Sequence, residues 1–171
     1  MTRSAHVVVM GVSGCGKSSV ALALADRLGR PFIEGDAHHS AQNIAAMRAG
    51  IPLTDADRLP WLATLAQLLK NASGPAVLTC SALRRSYRDK LRQGGPIVFV
   101  HLAGSPDVIA DRIGLRRGHF MPETLLDSQF AALEPPAADE DHVTVDIAQS
   151  RASVIAAAIK ELRGRLDFER V

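Results

Sequence analysis

The stretch GVSGCGKSS, Gly11–Ser19, stands directly behind the apolar run HVVVM. From Gly11 to Ser18 it matches G-x-x-x-x-G-K-[ST], with a predicted strand before it and a predicted helix after it. Glycines let such a loop turn tightly and aim successive N–H groups at phosphate oxygens. The helix starting near Lys17 adds the positive end of its dipole. Gly11, Ser13, Gly14, Cys15, Gly16, Lys17, Ser18 and Ser19 are therefore expected to hold the phosphates of a nucleotide. Lys17 brings a point charge to the β- and γ-phosphates, and Ser18 offers a hydroxyl to Mg²⁺. Cys15 reads as a small loop residue; the alternative is an oxidation-sensitive thiol beside a helix N-terminus.

A second group of polar residues follows in FIEGDAHHS, where Glu34 and Asp36 lie two apart at the end of a predicted strand. Ligands of α/β sheets bind beyond the carboxyl ends of the strands. One carboxylate there can hold Mg²⁺ through water, and the other can accept or orient an acceptor hydroxyl. Asp36 could equally cap the next helix. His38 and His39 lack further ligands at metal spacing and read as hydrogen-bonding or surface residues. In LTDADRLPWL, Arg58 is suited to a carboxylate or phosphate, and Asp55 and Asp57 to hydroxyls. This set fits a hydroxylated acid better than a planar base; the alternative is helix capping by the aspartates with Trp61 in the core. Arg84, Arg85 and Arg88 form a basic cluster after the third strand, facing either the acceptor or phosphate, or solvent. Arg112, Arg116 and Arg117 flank the loop LRRGHF, from which arginines could close over a nucleotide and shut out water.

Five short apolar runs, HVVVM, PFIEG, PAVLTC, PIVFVHL and HVTVDI, alternate with helical patterns. This predicts an α/β fold with a parallel sheet covered by helices on both faces. A helical insert from Ser40 to about Ala72, interrupted by GIPLTDADRLP, separates the second and third strands. Ser105 and Pro106 mark a helix start. EPPAADEDH reads as an exposed loop and the C-terminal LDFERV as a frayed tail.

The chain has 171 residues, 47% of them apolar and 22% charged, which suits one soluble domain spanning 1–171. A net charge of +2 does not point to nucleic acid or a membrane. No apolar run approaches the ~20 residues of a membrane span, and the N-terminus does not read as a signal peptide. Two unpatterned cysteines suggest a reducing, cytoplasmic setting. With no N-K-x-D motif and no motor domain in sight, a small-molecule kinase is favoured over a switch or a motor.

The stretches MGVSGCGKS, GDAHHSAQNIAAMRAGIPLTDADRLPWL, CSALRRSYRDKLR, RRGHFMP and SQFAALEPP resemble, in order, the gluconokinases. These are P-loop small-molecule kinases related to shikimate kinase. The resemblance spans Met10 to Pro136, and its central stretch is the specific part. It implies a three-layer P-loop fold with a five-stranded parallel sheet of order 2-3-1-4-5 and often a homodimer. It also implies an acceptor-binding helical region at about 37–72 and a lid at about 114–122. The implied reaction carries the γ-phosphate of ATP, with Mg²⁺, to the 6-hydroxyl of D-gluconate. Carried onto this sequence, Gly14, Gly16, Lys17 and Ser18 hold ATP and Mg²⁺, and Glu34 reaches a metal-bound water. Asp36 stands near the acceptor hydroxyl, and His39, Asn43, Asp57 and Arg58 lie on the acceptor side, with Arg84 and Arg88 as further candidates. Arg112 packs against adenine, and Arg116 and Arg117 belong to the lid. Three departures are visible: Glu34 where relatives often carry aspartate, Ser40 in place of a proline, and Met121-Pro122 after the lid glycine. Two other readings compete: a kinase for another hydroxy acid such as shikimate, and a nucleotide-binding module without turnover.

Overall fold

The structure is a computed structural model that describes residues 4–115 and 123–166. Its strands are β1 (His6–Met10), β2 (Phe32–Glu34), β3 (Val77–Thr79), β4 (Ile97–Ala103) and β5 (His142–Asp146). They form one parallel sheet in the order β2-β3-β1-β4-β5, the order implied by the family resemblance. Val7, Val8, Val9 and Met10 of β1 are fully buried, because the central strand of a doubly covered sheet has no solvent face.

The helices are α1 (Lys17–Leu28), α2 (Ala41–Arg48), α3 (Asp55–Asn71), α4 (Arg85–Leu91), α5 (Pro106–Leu115), α6 (Glu123–Ala132) and α7 (Arg151–Leu162). Helices α1 and α7 pack together, as do α3 and α4. Val20 and Leu24 of α1 and Leu62, Leu65 and Leu69 of α3 give each of those helices its buried stripe. Gly29 ends α1 in the left-handed conformation, and Ser105 accepts from the Val108 N–H at the start of α5, as predicted.

Two sequence expectations need correction. The segment GIPLTDADRLP interrupts the helical insert only over its first half, 50–54; α3 starts within it at Asp55 and carries Pro60 inside. Thr54 and Asp57 form a capping box there, and the proline sits in the second turn of the helix, downstream of the cap. Contrary to the exposed loop its composition predicts, EPPAADEDH is not exposed throughout: Glu140 within it is buried. Its carboxylate accepts from Arg88 Nε and Nη2 at 2.7 and 2.9 Å and from Arg92 Nη2 at 2.7 Å. A buried carboxylate needs such partners, and two guanidinium groups supply them. No described helix is long and apolar enough to cross a membrane.

Candidate active site

The loop between β1 and α1 is shaped by its glycines. Gly14 and Gly16 have φ of 82° and 94°, a region open to glycine and strained for other residues. A β-carbon on Gly14 would also stand 2.6 Å from Ile113 Cγ1. Gly16 is the N-cap of α1 and brings no capping side chain. The first N–H groups of α1, at Lys17, Ser18 and Ser19, are therefore left to an outside acceptor. Lys17 Nζ is held at the loop by Gly11 O at 3.1 Å and Val12 O at 3.0 Å. Cys15 is buried under it. Arg112 lies beside Gly16 and donates through Nη2 to Ile147 O and Gln149 O, so it bridges the loop and the end of β5.

The second strand delivers Glu34 to the end of this loop. Ser18 Oγ donates to Glu34 Oε2 at 2.7 Å, and Thr79 Oγ1 donates to Glu34 Oε1. Thr79 stands in register with Glu34 across the β2–β3 ladder and accepts from the Gly35 N–H at 3.0 Å. Gly35 allows this close approach: a β-carbon there would lie 1.9 Å from Thr79 O. Ser18 and Glu34 thus bring a hydroxyl and a carboxylate oxygen together, a hard-oxygen donor pair that suits Mg²⁺. Among the described residues, no group of three or more His, Cys, Asp and Glu could hold a metal by itself. Mg²⁺ commonly takes few protein ligands and completes its shell with phosphates and water.

Beyond Gly35 the chain makes a short 3₁₀ turn, Gly35–His38, that carries Asp36. The Asp36 carboxylate is 74% exposed and lies 3.8 Å from His39 Nε2. The His39 ring stacks on Trp61 at 3.9 Å between centroids. Trp61 Nε1 donates to Gly35 O at 2.8 Å, which fixes the turn from beneath. Burial holds the His39 pKa below the ordinary histidine value, against the opposing pull of Asp36. Asn43 Nδ2 donates to Asp57 O at 3.0 Å and lies 3.4 Å from His39 Nδ1. With Asn43 as donor, that nitrogen is an acceptor and the ring proton sits on Nε2, facing Asp36.

Arg58 donates through Nη1 to Leu53 O at 2.5 Å and to Tyr87 Oη at 3.2 Å. Tyr87 in turn donates to Asp55, whose other oxygen is 3.7 Å from Arg84 Nη1. The structure therefore brings Arg58 and Arg84 together through Asp55 and Tyr87. Asp57 is spent differently. Its Oδ2 accepts from the Thr54 N–H and hydroxyl, and these bonds lower its pKa. The capping alternative for Asp57 is realised at that oxygen. His39, Asn43, Asp57 and Trp61 also line a cavity of about 430 Å³. Asp36, Arg58 and the phosphate loop do not line it.

Arg88 does not reach the site. It is wholly buried, paired with Glu140, and its Nη1 donates to Ala82 O at 2.9 Å. Contrary to expectation it does not face an acceptor, since all of its guanidinium nitrogens are engaged inside the protein. Arg85 pairs with Asp139 on the surface. Arg116 and Arg117, with most of the expected lid, lie outside the described residues.

Three residues near the site were missed in the sequence. Thr79 sits at the end of a strand and was read only as part of it. Tyr87 lay in a helix recognised for its arginines. Gln129 of α6 accepts from the Ser13 N–H at 2.7 Å and donates to Ser13 Oγ at 3.0 Å. The only sequence signal for Gln129 was its place in SQFAALEPP, after the lid.

Fold and site together define a phosphate-loop kinase. The sequence model of the shikimate kinase family matches residues 13–163. A protein named gluconokinase from Gluconobacter oxydans (strain 621H) is 54% identical over 81% of this chain and 80% of its own. The thermoresistant gluconokinase of Escherichia coli (strain K12) is 43% identical over 91% and 92%. The crystal structure of a gluconokinase from Sinorhizobium meliloti 1021 superposes with a TM-score of 0.89 at 49% identity, covering 96% of this chain and 94% of that one. The chain belongs to the gluconokinase family, within the kinases related to shikimate kinase.

Proposed function

We infer that this protein transfers the γ-phosphoryl group of ATP to the 6-hydroxyl of D-gluconate, giving 6-phosphogluconate and ADP. The observation that carries this reading is the succession along the carboxyl edge of the sheet: Lys17 at the phosphate loop, the Ser18–Glu34 pair beside it, and the exposed Asp36 carboxylate in the turn directly after β2. An acid bearing a terminal hydroxyl has groups complementary to Asp36 and to the Arg58 guanidinium.

In this reading the loop N–H groups and Lys17 hold the β- and γ-phosphates. Ser18 and Glu34 would hold Mg²⁺, which when bound offsets charge on the phosphate oxygens. Arg58 uses Nη1 for Leu53 and Tyr87, so Nε and Nη2 are the donors it offers to the gluconate carboxylate. Arg84 adds a second cation, and Asp57 Oδ1, His39 and Asn43 serve the sugar hydroxyls. Asp36 orients the 6-hydroxyl and takes its proton as the new O–P bond forms and the bond to the β-phosphate oxygen breaks. Positioning outweighs proton removal in such reactions, and an exposed carboxylate such as Asp36 can serve both. Arg112, beside Gly16, borders the nucleotide base. A single cytoplasmic kinase domain acting as a homodimer completes the proposal. Phosphorus and proton NMR of the product tests the reaction: a phosphate ester on the terminal carbon is expected, and an ester elsewhere contradicts the proposed placement of Asp36.

A further inference from the structure

Ser13 is the third residue of the phosphate loop, and its backbone and side chain are both engaged by one residue 116 positions away. The Ser13 N–H can only donate, so the oxygen of the Gln129 amide must face it, at 2.7 Å. That fixes the amide the other way round for the hydroxyl: Gln129 Nε2 donates to Ser13 Oγ at 3.0 Å. The hydroxyl accepts there, so its proton is left to donate elsewhere. Gln129 is half-buried and belongs to α6, whose C-terminal end is itself anchored. The Glu134 N–H donates to Leu83 O at 2.8 Å, and Glu134 Oε2 accepts from the Arg85 N–H at 2.8 Å. The helix that supplies the amide is therefore tied to the loop after β3, at the same edge of the sheet.

We propose that Gln129 is a positioning residue for ATP: it sets the conformation of the phosphate loop at Ser13 and turns the Ser13 hydroxyl proton toward the nucleotide phosphates. Gln129 touches neither substrate. It acts through Ser13, and its effect falls on the nucleotide rather than on gluconate. The inference rests on the phosphate-loop reading of Ser13 and not on the identity of the acceptor.

The test is calorimetric titration of the full chain with Mg·ATP, alongside steady-state kinetics. The variants are Gln129→Met, Gln129→Glu, Ser13→Ala and the double variant S13A/Q129M. Gln129→Met preserves length and helix propensity and removes both hydrogen bonds; it should weaken Mg·ATP binding roughly tenfold. The KM for gluconate should stay within about twofold, because uniform damage to the site would move both constants. Ser13→Ala should weaken ATP binding in the same direction. In the Ser13→Ala background, Gln129→Met should cost clearly less than it does alone, since the hydroxyl bond is already gone and only the backbone N–H bond remains to be lost. Gln129→Glu accepts from the Ser13 N–H as before but pulls the hydroxyl proton toward itself, and it should bind ATP no better than Gln129→Met. Thermal unfolding establishes that each variant is folded; should Gln129→Met not fold, Gln129→Glu carries the test. ATP binding by either Gln129 variant within twofold of wild type overturns the proposal, and so does full additivity with Ser13→Ala. A wild-type chain that binds Mg·ATP but ignores gluconate overturns the acceptor reading alone, and one that does not bind Mg·ATP overturns both.

Discussion

Ser18 and Glu34 meet in a 2.7 Å hydrogen bond that joins the first turn of α1 to the last residue of β2. The bond exists because the carboxyl end of β2 lies beside the phosphate loop, with Thr79 of β3 holding the other oxygen of the same carboxylate. Glu34→Gln keeps the shape and the Thr79 bond but removes the negative charge. The Mg²⁺ concentration for half-maximal rate should then rise about tenfold, a change of ~1.4 kcal/mol. An unchanged Mg²⁺ dependence would remove Glu34 from the metal site.

Asp36 is an exposed carboxylate at the end of β2, beside the Nε2 proton of His39. Asp36→Asn should lower kcat at least about tenfold, which is ~1.4 kcal/mol of barrier, with little change in the KM for ATP. A near-normal kcat would reject Asp36 as base or orienter of the hydroxyl.

Arg58 is held by Leu53 O and Tyr87 and presents its remaining donors as a fork. Arg58→Lys retains the charge and loses the fork. It should raise the KM for gluconate about tenfold and leave that for ATP within twofold. Equal effects on both substrates would mean that Arg58 shapes the fold rather than reading the acid.

The phosphate loop, the five strands and the carboxylates after β2 were legible because each is a contiguous stretch whose chemistry and pattern coincide. The α4 arginines were not. Arg84, Arg85 and Arg88 look alike in sequence, and only packing shows that Arg84 faces Asp55, Arg85 faces Asp139 and Arg88 is buried on Glu140. Glu140 itself sits in a proline-rich, acidic segment that resembles a solvated loop, because its partner lies 52 residues away. The capping role of Asp57 was legible as the alternative of helix capping by the aspartates, and the structure shows it in the Thr54–Asp57 box. Gln129 could not be found by pattern, since its partner Ser13 is set by the tertiary fold.

The Arg88–Glu140 pair predicts a large stability effect. Arg88→Met should cost about 3–5 kcal/mol by leaving the buried Glu140 carboxylate short of partners. Arg88→Met combined with Glu140→Leu should recover part of that loss, measured by urea unfolding. A single variant as stable as wild type would contradict the structural role assigned to Arg88.

Buried histidine sets part of the acid sensitivity. Burial, with smaller effects from Arg88 and His142, lowers the pKa of His101 to about 4. The unfolded imidazole takes a proton near 6.5. Between pH 6.5 and 4 the unfolded state therefore binds more protons, and stability falls as pH drops through that window. His6 and His39 act in the same direction. His101→Leu should flatten, without abolishing, the fall in unfolding free energy from pH 6.5 to 4. An unaltered slope would mean that His101 titrates normally in the folded protein.

The most direct measurement is ADP release with Mg·ATP and D-gluconate, run beside shikimate, D-glucose and no acceptor. The account predicts strong stimulation by gluconate and little by the others. Equal rates with gluconate, shikimate and glucose, or no acceptor-dependent ADP release at all, would contradict it.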